Sequence, residues 1–328
     1  ELPFPQAFTP DELLAEIRCG KNYDDTAFLE KFCSFEGADA AKNLCRLLLY
    51  GEKSGLIVEK MPNNGKKNIL FYGGNLANNG ITTSLRNLLM NVDTEKYNYY
   101  FAFRSENVTQ SRDNIRSFPD EVGYVAMMGD MNLTIAEKVI RVLFKRKLFS
   151  AGIYAALMKK RIGQECQRLF GKAIYDTVIQ FNGYEQEMIL LFGHYPGKRA
   201  IYVHNNMVEE IRLRKNQRQD VLHWAYRRYD KVALVTEDMR APTKQLCGQD
   251  KNFVVCRNII DYKEILKKAE LPFALDEKVT TVWPSKDHLF RMLEEPGRRL
   301  INIGRFSPEK GQIRLLEAFA QLHKEHPD

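Results

Sequence analysis

From Asn68 onward, short apolar runs alternate with stretches of helical spacing, and this alternation restricts the fold more than any other feature of the chain. The runs cover residues 68–72, 97–103, 122–127, 177–181, 199–204, 231–236 and 253–257. Each has strand length, and most are rich in β-branched and aromatic residues. Strands joined through helices must pair in parallel, because a parallel neighbour needs a long crossover. The class is therefore α/β, a doubly wound and mainly parallel Rossmann-like sheet over residues 68–265. Its first unit is Asn68-Ile69-Leu70-Phe71-Tyr72, a Gly/Asn loop over 73–80, and a helix from Ile81 that begins among Thr82, Thr83 and Ser84.

Open sheets of this kind bind ligands beyond the carboxyl ends of their strands. Four segments reach that edge. The loop Gly73-Gly74-Asn75-Leu76-Ala77-Asn78-Asn79-Gly80 lacks the spacing of a dinucleotide fingerprint and reads by itself as a tight strand-to-helix turn. Asn182 and Glu185 follow the run 177–181, and read by themselves as helix-capping residues. His204 ends the run 199–204; taken alone, a strand-end histidine is a satisfied structural residue. Glu237 follows the run 231–236.

A second constellation lies at 300–312, in Leu300-Ile301-Asn302-Ile303-Gly304-Arg305-Phe306-Ser307-Pro308-Glu309-Lys310-Gly311-Gln312. An apolar strand is expected at 300–303, then a basic turn, then an amphipathic helix. Arg305 offers a planar fork of donors and Lys310 a point charge, and both precede a helix start, a combination suited to a diphosphate.

This string resembles the Gly-Arg-Leu/Phe-x-x-Glu-Lys-Gly signature that opens the C-terminal domain of GT-B glycosyltransferases of family 4. The resemblance covers residues from about 66 to 328. It implies that Arg305 and Lys310, with the loop amides at Gly74 and Gly80, bind the donor phosphates. It also implies that Asn79, Asn182, Glu185 and Glu237 position acceptor or sugar, that His204 is catalytic, and that the loop 73–80 lies against an interdomain cleft. Cys256-Arg257-Asn258-Ile259-Ile260-Asp261 is similar to the family's Pro-Asn-Gly-(Ile/Val)-Asp turn, departing at Arg257 and Ile260, with Asn258 and Asp261 shaping a hinge. The implied reaction is retaining transfer of a hexose or N-acetylhexosamine from a nucleotide sugar, UDP-linked, with no metal and no other cofactor. Two glutamates spaced eight apart belong further downstream in that family, so the expectation is a fragment, inactive alone, with residues 266–297 as a connection and 298–328 as the start of a donor domain.

Residues 1–58 read as helices without strands: Thr9-Pro10-Asp11-Glu12 is a cap, a proline in the first turn and acidic residues, and further helices are expected over 25–35 and 38–49. By itself this segment reads as a helical lead-in that packs on whatever follows; the expected organisation is the tail of a preceding domain over 1–58 and a polar linker over 59–67. The order Thr9 to Leu14, then Phe32-Cys33-Ser34-Phe35-Glu36-Gly37, resembles the tail of CDP-glycerol glycerophosphotransferases, which build teichoic acids. Glu36-Gly37-Ala38-Asp39 departs from that family's acidic pair. The resemblance implies a fusion whose acceptor is a phosphate-containing or lipid-linked cell-envelope polymer.

A formal net charge of +7 favours an anionic partner without choosing one. No RNA- or DNA-binding motif or zinc spacing accompanies it, which argues against nucleic acid. The six cysteines have no metal-ligand spacing and read as reduced, mostly buried thiols. No run of about 18 apolar residues occurs. Residues 141–161 hold seven Lys/Arg and no acid, interleaved with Leu143, Phe144, Leu148, Phe149, Ile153, Tyr154, Leu157 and Met158. This is either a basic segment for an anionic membrane surface or the solvated face of a packed helix pair. Arg212, Arg214, Lys215, Arg218, Arg227 and Arg228 form a further basic cluster suited to a polyanion. The expected place is the cytoplasm, peripheral on the inner membrane face. The rival reading is a non-catalytic module that binds a polyanion or a membrane.

Overall fold

In a computed structural model, the structure describes residues 5–20, 22–33, 39–52, 61–62, 64–272, 285–296, 300–304, 306 and 310–326. The chain divides into two compact units, Glu1–Ile260 and Asp261–Asp328.

The first unit holds α1 (Pro10–Cys19), α2 (Thr26–Phe32), α3 (Ala40–Tyr50), β1 (Lys67–Tyr72), α4 (Gly80–Leu89), β2 (Tyr97–Arg104), α5 (Val108–Arg116) and β3 (Gly123–Met127). It continues with α6 (Ile135–Lys145), α7 (Ala151–Leu157), α8 (Lys159–Phe170), β4 (Thr177–Gln180), α9 (Gln186–Phe192) and β5 (Lys198–Val203). It closes with α10 (Met207–Arg214), α11 (Gln219–Arg228), β6 (Lys231–Leu234), α12 (Arg240–Cys247) and β7 (Phe253–Val255).

Seven strands form one sheet in the order β3-β2-β1-β4-β5-β6-β7, every neighbouring pair parallel. The chain winds outward from β1 through β2 to β3, then returns to place β4 on the other side of β1. This is the doubly wound, Rossmann-like arrangement. Alternate residues of each strand feed two cores. Leu70, Tyr72, Ala102, Val178 and Ile201 meet Phe144, Tyr154, Leu190, Leu222 and Leu246 on one face. Phe71, Phe101 and Phe103 meet Leu85, Leu89 and Phe118 on the other. Crossovers through opposite faces put the switch point between β1 and β4.

The helices α1 to α3 form where expected. Thr9 caps α1 in a reciprocal capping box with Glu12, and Gly20 ends it in the left-handed region at φ 56°. None of the described side chains of these helices is buried, and Leu13, Ile17, Leu44 and Leu48 stay exposed. Capping and spacing suffice to set the helices, but burial needs a facing apolar surface. Within 59–67, Met61 packs against the core and Asn64 bonds Asn98 at 2.9 Å. Lys66 donates to the Thr94 carbonyl at 2.8 Å, and Lys67 already opens β1.

The second unit contains α13 (Tyr262–Ala269), α14 (Lys286–Glu294) and α15 (Gln312–Glu325). The amphipathic helix expected after Lys310 is α15. The strand expected at 300–303 does not form, and Leu300, Ile301 and Ile303 are exposed. Strand conformation is held by ladder hydrogen bonds, and no described residue of this unit lies in a strand to supply them. No described helix is long and apolar enough to cross a membrane.

Candidate functional site at the sheet switch point

The carboxyl ends of β1, β2, β4 and β5 bring four predicted edge residues, Gly74, Asn182, Glu185 and His204, into one neighbourhood. β1 gives way to Gly73 and Gly74, and Gly74 sits at φ 75°, where residues with a Cβ are strained. A Cβ there would also lie 2.3 Å from Asn182 Nδ2 and 3.2 Å from Glu185 Oε1. The glycine is therefore demanded twice, by backbone conformation and by the close approach of the segment after β4.

That segment is pinned to β1. The backbone N–H groups of Phe181 and Asn182 both donate to the Tyr72 carbonyl, at 3.1 and 3.0 Å. The Tyr72 hydroxyl donates to Glu185 Oε2 at 2.7 Å, and Arg104 Nε, at the end of β2, lies 3.5 Å from the same oxygen. The Arg104 N–H donates to the Gly74 carbonyl at 3.2 Å. Burial raises the Glu185 carboxyl above its ordinary range, against the opposing effects of the Tyr72 bond and the Arg104 charge. The Tyr72 hydroxyl is pushed well up, first by burial and then by the Glu185 charge. Desolvation thus prevails over pairing, and Glu185 takes a proton more readily than a surface glutamate.

His204 follows β5 and is half-buried. Its Nε2 lies 2.7 Å from the Phe181 carbonyl, which can only accept, so Nε2 carries the proton and Nδ1 is the acceptor of the neutral ring. The ring is held edge-on by Phe181, with centroids 4.8 Å apart, and stacked with Tyr202 at 5.6 Å. Burial lowers its proton affinity below the ordinary value of 6.5. This is a fixed neutral imidazole, able to accept a hydrogen bond through Nδ1. Close approach also explains Gly183, at φ 73°, where a Cβ would stand 2.7 Å from the Tyr202 carbonyl.

The loop 73–80 is more structured than a bare Gly/Asn turn. Leu76 is completely buried at φ 49° and packs with Leu85, while a Cβ on Gly73 would fall 2.6 Å from Leu76 Cδ2. Ser111 Oγ donates to the Asn75 carbonyl at 2.8 Å, and Asn114 Nδ2 donates to the Leu76 carbonyl at 2.8 Å and to Asn78 Oδ1 at 2.9 Å. Asn79 caps α4, its Oδ1 accepting from the N–H groups of Ile81 and Thr82 at 3.0 Å each. Gly80 is the first residue of α4, and a Cβ there would meet nothing within 4 Å.

The other predicted residues have local partners of their own. Glu237 follows β6 and is exposed, bound to Arg240 in its own turn. That guanidinium holds its carboxyl below the usual range. Asn258 accepts from Ser84 Oγ at 2.7 Å, the Ile259 carbonyl accepts from Asn87 Nδ2 at 3.3 Å, and Asp261 caps α13. Lys310 is exposed, its stem 3.7 Å from where a Gly304 Cβ would stand. Arg305 lies outside the described residues. Among the described residues no group of three His, Cys, Asp or Glu is placed to hold a metal ion.

Sequence reasoning passed over Tyr72, Arg104 and Leu76. Arg104 had a usable signal, since it stands one residue past a predicted strand, at the same edge as His204. Tyr72 reads as core, and its hydroxyl reaches Glu185 only once β4 lies beside β1. A leucine in a Gly/Asn loop carried no mark of its left-handed backbone.

No protein-family model matches the chain. No curated protein matches it. Among solved structures, the chain is similar to HepE from Anabaena in complex with UDP and glucose, with 13% identity, TM-score 0.35, 60% of this chain covered and 46% of that one. It is similar to the same protein with UDP at 10% identity and TM-score 0.36, and with UDP-glucose at 13% and 0.35, each covering 60% of this chain and 45% of that one. The chain thus spans less than half the length of these neighbours. At this similarity the fold stands on the sheet's own topology.

Proposed function

We propose that the chain belongs to a GT-B glycosyltransferase that moves a sugar from a nucleotide sugar, UDP-linked, to a phosphate-containing or lipid-linked cell-envelope polymer, with retention of anomeric configuration. The observation that carries the reading is the convergence of Gly74, Asn182, Glu185 and His204 at the switch point of a parallel sheet, where α/β proteins bind ligands. The signature containing Arg305 and Lys310 supplies the donor chemistry.

In this reading Arg305 and Lys310 offset the charge that gathers on the leaving diphosphate, so that no cation is required. The neutral His204 accepts from a sugar hydroxyl through Nδ1, and its bond to the Phe181 carbonyl fixes the ring before substrate arrives. Glu185, held by Tyr72 and Arg104, orients a hydroxyl of sugar or acceptor. Asn79 sets the start of α4, and Gly74 lets the loop amides approach the site. Glu237 is a weaker member of the set, engaged with Arg240.

The test is titration of the protein with a panel of nucleotide sugars, followed by backbone and imidazole NMR, alongside transfer assays on its longest form. Shifts confined to Gly74, Asn182 and His204, and lost in Arg305→Ala and Lys310→Ala, support the proposal. Absence of any nucleotide-dependent shift, or transfer unaffected by both variants, sinks it.

A membrane role has its own support. Lys145, Arg146, Lys147, Lys159 and Lys160 are exposed beside Leu148 (67% exposed), Ile153 (50%) and Leu157 (53%). The patch is smaller than the sequence suggested, because Phe144, Tyr154 and Met158 are core residues, Arg141 is bound to Glu187 and Asp130, and Arg161 to Glu137.

A further inference from the structure

A groove of about 510 Å³ lies between the start of α7 and the outer face of α11, lined by Ser150, Gly152, Asp220, His223, Trp224, Arg227 and Arg228. It shares no residue with the switch-point cluster. Its aromatic wall is Trp224, whose ring stacks with His194 (centroids 5.2 Å apart) and carries the Arg228 guanidinium 5.3 Å from its centroid. The indole is also fixed from below by Gly193, where a Cβ would stand 2.6 Å from Trp224 Cζ3.

Charge is distributed unevenly here. The lining carboxylate among the described residues, Asp220, is already satisfied by Arg218 at 2.7 and 2.9 Å and by the Ala151 N–H at 2.6 Å. Arg227 and Arg228 are exposed and have no carboxylate partner among the described residues. Lys159 and Arg228 both act on His194 to lower its proton affinity, after the larger effect of burial, which places a further cation beside this stack. A guanidinium held by its face over an indole keeps its edge N–H donors pointing outward, the geometry that binds phosphate oxygens.

We propose that this groove is a second binding site, for a phosphodiester-linked polyol or sugar chain. Arg227 and Arg228 bind successive phosphates, and the Trp224 ring offers an apolar face to the C–H groups between them. The alternation of cation and aromatic surface matches a ligand that alternates anion and carbon skeleton. A bare inorganic polyphosphate would leave the ring unused. The site does not depend on the transferase reading, and a chain held there would be gripped away from the switch point.

The experiment is titration of the whole protein with a synthetic glycerol-phosphate oligomer, read by Trp224 fluorescence in a W283F background and by calorimetry. Saturable binding that weakens steeply with salt is expected. Loss of about tenfold or more is expected in R227Q/R228Q, since each guanidinium contributes a charge-assisted contact. Gly152→Trp, which fills the groove without altering charge, should abolish binding. Its Cβ has open space apart from Ser150 Oγ at 4.0 Å, so the fold should tolerate it. Equal binding by R227Q/R228Q and G152W, or no binding by the parent protein, overturns the proposal. So does equal or tighter binding of inorganic polyphosphate, of a single-stranded oligonucleotide of matched charge, or of anionic vesicles through the same groove residues. Because nucleotide-sugar titration reads the switch point and this titration reads Trp224, the two proposals fail separately.

Discussion

Gly74 and Gly80, the two glycines proposed to bind donor phosphates, make different demands on the chain. Gly74→Ala must place a Cβ at φ 75° and 2.3 Å from Asn182 Nδ2, so it should lower stability by about 1–2 kcal/mol from the backbone alone, with the collision in addition. Gly80→Ala meets nothing and sits in a helix, so it should be neutral or stabilising by up to about 1 kcal/mol. Urea midpoints of the two variants check the pair, and nucleotide-sugar binding by the stable G80A protein separates a ligand role from a structural one. His204 gives a pH signature. Its folded proton affinity lies below 6.5, so in acid the unfolded chain takes up the proton first and stability falls with falling pH. The penalty is absent above the unfolded value and complete below the folded one. His204→Gln, which can still donate to the Phe181 carbonyl, should remove this component; a wild-type minus variant difference in urea midpoint that stays flat below pH 6.5 refutes the assignment.

At the scale of elements, α6 shows how a run of like charges in sequence becomes neutral in space. Arg141 is only 16% exposed and holds both Glu187 on α9 and Asp130 before α6, so Arg141→Ala should cost roughly 1.5–3 kcal/mol by removing charge-assisted bonds and leaving Glu187 with the more distant Lys145, at 3.8 Å. Glu137 is drawn down to about 2, chiefly by its bond to Arg161. Lys145 lies 3.8 Å from Glu187, and the cations left over stand at the α6–α7 turn and the start of α8. If that patch meets an anionic membrane, each residue near the surface gains about 1 kcal/mol, and charge reversal of Lys145, Arg146 and Lys147 should abolish vesicle flotation at low salt. Flotation that survives both the reversal and high salt would leave the patch as an ordinary solvated face.

For the whole molecule, the two cores of the first unit are built from residues after Met61, and no described side chain of α1 to α3 is buried. A chain beginning at Met61, which itself packs on the core, should melt within a few degrees of the parent and keep the switch-point signals in NMR. A large drop in melting temperature would show that the helical segment supports the sheet after all. Seven strands, their order of appearance and their parallel pairing were legible in the sequence, because strand length, crossover length and residue type are local quantities. So were the edge positions of Asn182, Glu185 and His204, which follow from standing just past a strand. Local pattern also misled in one place: the apolar run 300–303 has strand composition but no ladder partner among the described residues. Which residues meet was settled by the folded chain alone. The return of β4 to the side of β1 joins Tyr72, Arg104 and Glu185, turns Gly74 into a point of close approach, and shelters the His204 ring. It also pairs Arg141 with a carboxylate 46 positions away. Contacts between distant residues depend on the path of the whole chain, and no local spacing encodes the distance between them.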